Sequence, residues 1–260
     1  MSEKFKQKYK VSFSDMDINY RLTKIAAVKF FQETFALYCA KHGLAAFDVI
    51  KDNLVWVISD LKIEFTDTLP YWSESFEVEM WISEKTALRT YIDCRIYYKN
   101  KVIAQGDCCF YLIDLESRRP VKSADTLKAF ETVDEKVFAG QDKVKYLFDG
   151  EKIAEKEHEV TVRDLDFNFH VNNLSYMGIA LETAPADMLE QYAVEGYSIK
   201  FVREAVLGDI LDCELFKNNN LITARIYNKN NNADVCFIKA NIGVKTDFGR
   251  NPREAGVVFE

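Results

Sequence analysis

The sequence predicts an α+β protein made of two similar units in tandem, each an antiparallel sheet wrapped around one central helix. Two observations predict this class: an internal repeat, and a change from helical to strand-like hydrophobic spacing after each copy of the repeat. The 260 residues suffice for one large domain or two small ones. With 48% hydrophobic and 29% charged residues, the composition is that of a folded globular protein.

The repeat joins the two halves of the chain. Residues 11–34, VSFSDMDINYRLTKIAAVKFFQET, align without a gap on residues 160–183, VTVRDLDFNFHVNNLSYMGIALET, at a constant shift of 149. Six of the 24 positions are identical, including Asp17 with Asp166. A repeat of this length indicates that the same structural unit occurs twice.

Each copy has the pattern of a strand, a short acidic turn and a helix. The helices are expected to open at Thr23 and Asn172, because both residue types cap helix N-termini well. The first helix is expected to end near Gly43, which can adopt positive φ, and the second is limited by Pro185. Both helices are therefore expected to be central and packed.

After each helix the apolar residues alternate between turn residues, as in antiparallel strands. Residues 60–114 predict a four-stranded meander, and residues 196–246 predict a similar set of strands. The charged stretch between the copies predicts a linker. We therefore expect a first unit at residues 1–135, a linker at 136–155 and a second unit at 156–260.

Charge and motif content exclude several classes of protein. With 34 basic and 41 acidic residues, net −7, the chain as a whole lacks the positive charge of nucleic-acid binders. Six cysteines without a C-x-x-C pair predict reduced, buried thiols. No phosphate-binding loop or zinc-protease motif occurs, so neither a cofactor nor a metal is expected. The N-terminus has no secretory pattern, which predicts a soluble cytoplasmic protein without a membrane span.

One of the three histidines has surroundings that suggest chemistry. His170 lies at the turn before the second helix, in DLDFNFHVNN, together with Asp166 and Asn168. A helix N-terminus can stabilise an oxyanion, and the ordinary histidine pKa of about 6.5 suits a base. The alternative that this cluster only caps the helix stays open at this point. His42 is assigned to a helix C-terminus and His158 to an exposed strand.

The repeat provides an internal comparison for this turn. Arg21 occupies the position of His170 in the first copy, and arginine cannot act as a base near neutral pH. Alignment of the strands that follow sets Thr68 against Glu204. The second unit thus has an imidazole and a carboxylate where the first has neither, which predicts that the second unit carries the chemistry.

The segment DLDFNFHVNNLSYMGIALE, with FVREA about thirty residues later, resembles the acyl–acyl carrier protein (acyl-ACP) thioesterases. The resemblance extends over nearly the whole chain and implies a double hotdog fold. It also implies hydrolysis of fatty acyl-ACP thioesters to free fatty acid, which ends chain elongation in fatty acid biosynthesis. By position it assigns catalytic roles to Asp166, Asn168, His170 and Glu204. Plant members commonly have cysteine directly after this glutamate, whereas this chain has Ala205 and so no thiol there.

The expected mechanism is attack by an activated water. Glu204 is the first choice of base, and His170 orients the water or protonates the leaving thiolate. Asn168 holds water or carbonyl, and Asp166 fixes the turn. Direct attack by Asp166 is disfavoured because the first copy has the same residue, Asp17. The roles of Glu204 and His170 could also be exchanged.

The resemblance implies that the first unit holds the acyl pocket and that the partner is acyl carrier protein. Because that carrier is acidic, docking requires basic residues, for which the candidates are Arg118, Arg119, Lys122 and Arg203. The chain is expected to be a monomer with an internal pseudo-dimer or a homodimer. Two other functions remain open: an acyl-CoA thioesterase of the same fold, and a fatty-acyl binding protein without catalysis.

Overall fold

The computed structural model describes residues 4–122, 126–139 and 144–245 and divides the chain into two compact units near residue 141. Within these described residues, each unit contains one longer helix and five antiparallel strands, so the predicted α+β class is confirmed. Among the described residues, no helix has the length and apolar character needed to cross a bilayer.

The elements of the first unit are β1 (Phe5–Lys10), α1 (Lys24–Lys41), α2 (Ala46–Val49), β2 (Leu54–Phe65), β3 (Ser75–Lys85), β4 (Thr90–Tyr98) and β5 (Lys101–Asp114). Short 3-10 turns at Phe13–Asp15 and Ile50–Asp52 accompany its helices. The strand order is β1-β3-β4-β5-β2, with α1 against β3. Because β2 pairs with β5 and not with β3, the predicted four-stranded meander is wrong for β2 and holds for β3, β4 and β5.

The second unit has the strand order β7-β10-β9-β8-β6, with α3 against β8. A 3-10 turn at Val162–Asp164 precedes its main helix. Its elements are β6 (Glu151–Glu159), α3 (Asn173–Thr183), α4 (Ala186–Gln191), β7 (Tyr192–Phe201), β8 (Ile210–Asn218), β9 (Leu221–Asn228) and β10 (Ala233–Val244).

Both main helices begin where the sequence predicts. The Thr23 hydroxyl accepts from the N–H of Ala26 at 3.0 Å, and the Asn172 side chain accepts from the N–H of Leu174 at 2.9 Å. These bonds satisfy donors that a helix N-terminus otherwise leaves unpaired. α1 ends two residues before Gly43, whose φ is +68°. The two helices therefore begin at equivalent positions of the repeat, although α3, with 11 residues, is shorter than α1, with 18.

The boundary between the units differs from the predicted one. Strand β6 begins at Glu151, inside the expected linker 136–155. The first residues of that linker pack on the first unit, because the Val137 N–H donates to Asp93 at 2.7 Å. A charged residue of the expected linker also bonds to a strand there, in the 2.6 Å ion pair of Lys136 with Glu84 on β3.

Candidate active site

The turn before α3 is shaped by one carboxylate. Asp166 Oδ1 accepts from the backbone N–H groups of Asn168 at 2.8 Å and His170 at 3.3 Å. The Asp166 N–H in turn donates to the His170 carbonyl at 2.8 Å, and Phe169 between them has φ of +61°. Aspartate suits this role because its short side chain bonds to backbone N–H groups a few residues ahead. Asp166 therefore fixes the backbone from which the imidazole projects.

The first unit has the same turn without the imidazole. Asp17 Oδ1 accepts from the N–H groups of Asn19 at 2.8 Å and Arg21 at 3.0 Å, and Tyr20 has φ of +61°. The Arg21 guanidinium donates to the Tyr71 hydroxyl at 3.0 Å. The aspartate thus shapes the turn in both copies, in line with the sequence comparison, and the residue at the last position is what distinguishes the units.

The structure brings His170 and Glu204 together. His170 Nε2 lies 3.4 Å from Glu204 Oε2, and the two side chains are 29% and 40% exposed. Two backbone contacts hold the segments in place, because the Val171 N–H donates to the Ala205 carbonyl at 2.9 Å and His170 pairs with Val206. The predicted convergence of imidazole and carboxylate is therefore present, at a position that water and substrate can reach.

The alignment of Thr68 with Glu204 is wrong by one residue. In the first unit, the Leu22 N–H donates to the Pro70 carbonyl at 2.8 Å. In the second unit, the Val171 N–H, which likewise lies two positions before the main helix, donates to the Ala205 carbonyl at 2.9 Å. Pro70 therefore corresponds to Ala205, and Leu69 to Glu204. The first unit has one more residue between strand and turn, which shifts the register. Leu69 is 8% exposed, so the first unit still has no carboxylate at this place.

The N-terminus of α3 offers fewer donors than the sequence suggests. The Leu174 N–H is taken by the Asn172 side chain, and the Ser175 N–H donates to the Asn172 carbonyl at 2.9 Å. Within the described part of the chain, the Asn173 N–H is the donor of this first turn without an acceptor. One backbone N–H, rather than several, is thus available to a carbonyl oxygen.

Side chains around the pair add an amide and an apolar rim. The half-buried Asn168 side chain makes no hydrogen bond to a described residue, so its amide is available to a water or a carbonyl. Phe167 and Phe169 on either side of it are exposed, as are Val206 and Leu207 after Glu204. Exposed apolar side chains grouped at a polar site favour a ligand that is itself partly apolar. The alternation in DLDFNF was the sequence signal for this rim, and it was missed.

Tyr176 is a further residue that the sequence reasoning missed. It lies on α3 at the position of Ala27 in α1 and is 3% exposed. Its hydroxyl has no hydrogen-bond partner by distance and angle within the described residues, although it lies close to the Ala205 backbone. Burial raises the pKa of the Tyr176 phenol well above its usual value. A phenol thus fills the space behind the His170–Glu204 pair in this unit alone.

The other two histidines have structural environments. His158 was expected to be exposed, but its Nε2 lies 3.0 Å from Asp164 and its side chain is 23% exposed. Although burial acts to raise it, hydrogen bonds from Thr161 and His158 hold the pKa of Asp164 below its usual value. His42 caps the end of α1, where burial, and then the charge of Lys41, lower its pKa.

No thiol or metal chemistry is evident in the described residues. All six cysteines are buried and free, and burial raises the pKa of each thiol. A thiol with a raised pKa is a poor nucleophile. No group of histidine, cysteine and acidic side chains in residues 4–122, 126–139 and 144–245 could hold a metal ion. The six are Cys39, Cys94, Cys108, Cys109, Cys213 and Cys236.

Known structures share this fold. An acyl-ACP thioesterase from Bacteroides thetaiotaomicron superposes with a TM-score of 0.82 at 20% identity, covering 92% of this chain and 98% of that one. A 12:0-ACP thioesterase from Umbellularia californica also gives 0.82, at 17% identity, covering 93% and 98%. The fold is therefore the expected double hotdog.

Curated relatives and family models complete the comparison. An acyl-ACP hydrolase of Cuphea viscosissima is 22% identical over 80% of this chain and 53% of its own length. An oleoyl-ACP thioesterase of Coriandrum sativum is 24% identical over 80% and 61%. The chain thus spans about half of the curated relatives it matches. The family models for the N- and C-terminal domains of acyl-ACP thioesterases match residues 2–130 and 149–248. The chain belongs to the acyl-ACP thioesterase family.

Proposed function

We propose that the protein hydrolyses fatty acyl-ACP thioesters to a free fatty acid and the carrier thiol. The observation that carries this proposal is the 3.4 Å approach of His170 to Glu204, in a unit whose counterpart has Arg21 and Leu69 instead. Relatives with the same two domains are named acyl-ACP hydrolases and thioesterases. We assign hydrolysis to the second unit. That the first unit accommodates the acyl chain stays a prediction from the family resemblance.

Glu204 and His170 divide the proton transfers. Glu204 takes a proton from a water as the water oxygen bonds to the thioester carbon. As the C–S bond breaks, the His170 imidazolium gives a proton to the departing sulfur, and the proton held by Glu204 restores the imidazolium across the short gap between them. The products are one carboxylic acid and one thiol, so a water is consumed in each cycle.

The neighbouring residues orient the reactants. The Asn173 N–H lies at the positive end of α3, where it can donate to the carbonyl oxygen as negative charge develops on it. The Asn168 amide can accept from the attacking water or donate to the carbonyl. Asp166 acts through the backbone by fixing the turn. Because its Oδ1 already accepts two N–H bonds and Asp17 does the same in the first unit, direct attack by Asp166 is not part of the proposal.

Hydrolysis of a panel of acyl-ACP thioesters, with the released acids identified by mass, tests the proposal. His170→Ala and Glu204→Gln are each expected to lower kcat by at least ~10²-fold, because each removes one general acid–base group. Arg21→Ala is the matched control at the same turn position of the first unit, and its kcat should change little. Thermal unfolding identifies variants that have lost their fold. Near-normal turnover by both His170→Ala and Glu204→Gln would contradict the mechanism.

The carrier itself is tested by a comparison of thioesters. Arg118, Arg119 and Lys122 are exposed after β5, and Arg203 is exposed after β7. Each of these four residues is replaced by glutamate in turn. Where the basic residue contacts the acidic carrier, the substitution should raise KM for acyl-ACP more than KM for the matching acyl-CoA. Equal effects on both substrates would contradict a carrier-docking role, and a higher kcat/KM for acyl-CoA would favour an acyl-CoA thioesterase.

A further inference from the structure

The second unit contains an apolar cavity between its helices and its sheet. Its free space is about 600 Å³, including the part open to solvent. Leu181 at the end of α3 and Leu189 on α4 line the opening, and each is 42% exposed. Other residues that line it are Met177, Ala180, Ala184, Tyr192, Ile238 and Ile242. The lining is almost entirely hydrocarbon, which suits an apolar ligand rather than ordered water.

Small residues at the end of α3 and directly after it create this space. At the constant shift of 149, Ala180 of α3 and Ala184, the extended residue that follows α3, correspond to Phe31 and Phe35 of α1. Both phenylalanines are buried in the core of the first unit. The second unit therefore lacks two aromatic rings that the first unit packs between helix and sheet.

The strands of the second unit also carry smaller side chains than the corresponding strands of the first unit. Phe35 packs in the first unit against Trp56 and Phe110, with ring centroids 5.4 Å and 4.3 Å away. Strand pairing places Tyr192 at the position of Trp56, and Ile242 at that of Phe110. The cavity thus occupies the place of an aromatic cluster. Interiors are normally packed without such voids, and an open space built by paired small residues indicates room for a ligand.

Two lysines bond to residues that line the cavity. Lys217 Nζ donates to the Tyr192 hydroxyl at 3.4 Å, and Lys245 Nζ donates to the Leu189 carbonyl at 3.3 Å. Both lysines are half-buried, and neither takes part in an ion pair within the described residues, although Glu151 is the cross-strand neighbour of Lys217. An apolar cavity whose lining residues bond to ammonium groups complements a chain that ends in an anionic group.

This cavity is separate from the His170–Glu204 pair. His170 precedes the N-terminus of α3, whereas the cavity opens beside Leu181 and α4 at its C-terminal end. The 11 residues of α3 span about 16 Å. The buried Tyr176 ring lies between the two places on the helix. A ligand in the cavity would therefore not need to contact the candidate catalytic residues.

We propose that this cavity is a second ligand site, which binds a free unbranched fatty acid with its chain along α3 and its carboxylate at Lys217 and Lys245. The ligand class follows from the hydrocarbon lining and from the two lysines that each bond to a residue of that lining. The proposal goes beyond hydrolysis and does not depend on it, because binding is measured without turnover.

Calorimetric titration of the full chain with octanoate, decanoate and decanol tests the proposal. Decanoate is expected to bind in a saturable manner. Each added methylene should raise the affinity about fourfold while the cavity has room for it. Decanol, which lacks the charge, should bind more weakly. Absence of saturable decanoate binding would overturn the proposal, whether the cavity is then filled by another part of the chain or by a second copy.

Substitutions locate the bound ligand. Ala184→Phe copies the first unit and should weaken decanoate binding by more than tenfold, because it fills the space of several methylenes. Lys217→Ala and Lys245→Ala should weaken decanoate but not decanol, and they keep the test usable if Ala184→Phe does not fold. Lys156→Ala, on the outermost strand β6, is the matched control and should have no effect. Decanoate binding that survives Ala184→Phe but is lost in His170→Ala would place the ligand at the catalytic pair and overturn the proposal.

Discussion

Asp107 on β5 is a half-buried carboxyl beside another carboxyl. Its cross-strand neighbour on β4 is Asp93, which accepts from the Val137 N–H at 2.7 Å. Burial, and then the charge of Asp93, raise the pKa of Asp107 from 3.8 to about 6. Burial also raises the pKa of Asp93. At neutral pH the fold therefore contains a carboxylate whose ionised form is destabilised.

The pKa of Asp107 sets the sign and size of the effect on stability. A carboxyl whose pKa is higher in the folded than in the unfolded chain costs nothing below about pH 3.8, and its cost grows up to pH 6 and then stays constant. At 1.36 kcal/mol per pKa unit, the cost above pH 6 is about 3 kcal/mol. At pH 4.5 it is about 1 kcal/mol. Asp107→Asn, which keeps the shape and removes the charge, should recover most of this free energy.

Urea unfolding of Asp107→Asn and of the unaltered protein at pH 4.5 and pH 7.5 measures the effect. The variant should gain on the order of 2–3 kcal/mol in the free energy of unfolding at pH 7.5 and clearly less at pH 4.5. Asp52→Asn, at an exposed aspartate, is the control and should show neither gain nor pH dependence. A variant of unchanged or lower stability at pH 7.5, or a gain equal at both pH values, would refute the reasoning.

Three further outcomes are expected. Asn172→Ala and Thr23→Ala should each lower the free energy of unfolding by about 1 kcal/mol through loss of a helix cap. Only Asn172→Ala should also lower turnover. Unfolding and hydrolysis are measured on both variants to test this. Tyr176→Phe should raise the free energy of unfolding by about 1 kcal/mol, because it removes a buried hydroxyl that has no hydrogen-bond partner among the described residues. A large fall in kcat would instead indicate that the hydroxyl contacts substrate. A thiol reagent such as iodoacetamide should leave hydrolysis intact, with the cysteines reacting only after unfolding, and rapid inactivation of the folded protein would contradict this.

Much of the fold could be predicted from the sequence, because the repeat shows that one structural unit occurs twice and because local residue types mark where its helices begin. Thr23 and Asn172 cap their helices through side-chain bonds that span only two or three residues, so residue type alone identifies them. The meeting of His170 with Glu204 is a long-range contact. It was predictable because one unit served as a comparison for the other.

Other features depend on contacts that a linear pattern does not record. His158 lies in a charged segment, yet its partner Asp164 removes it from full exposure. The extra residue before Pro70 moves Leu69, rather than Thr68, to the position of Glu204, and only backbone hydrogen bonds reveal it. The cavity in the second unit arises from the joint effect of residues on one helix and two strands, none of which is unusual by itself.

The burial of Leu69 affects how readily substitutions could give the first unit a catalytic pair of its own. Conversion of the first half into a second reaction centre would require an imidazole in place of Arg21. That exchange would also remove the bonds of the half-buried Arg21 side chain to Tyr71 and Asp67. The conversion would further require an acid at Leu69, which is 8% exposed, so that an ionised group would enter the hydrophobic interior. A catalytic carboxylate at position 69 would therefore lower the stability of the first unit. The interior around this position would have to be repacked before the first unit could gain activity.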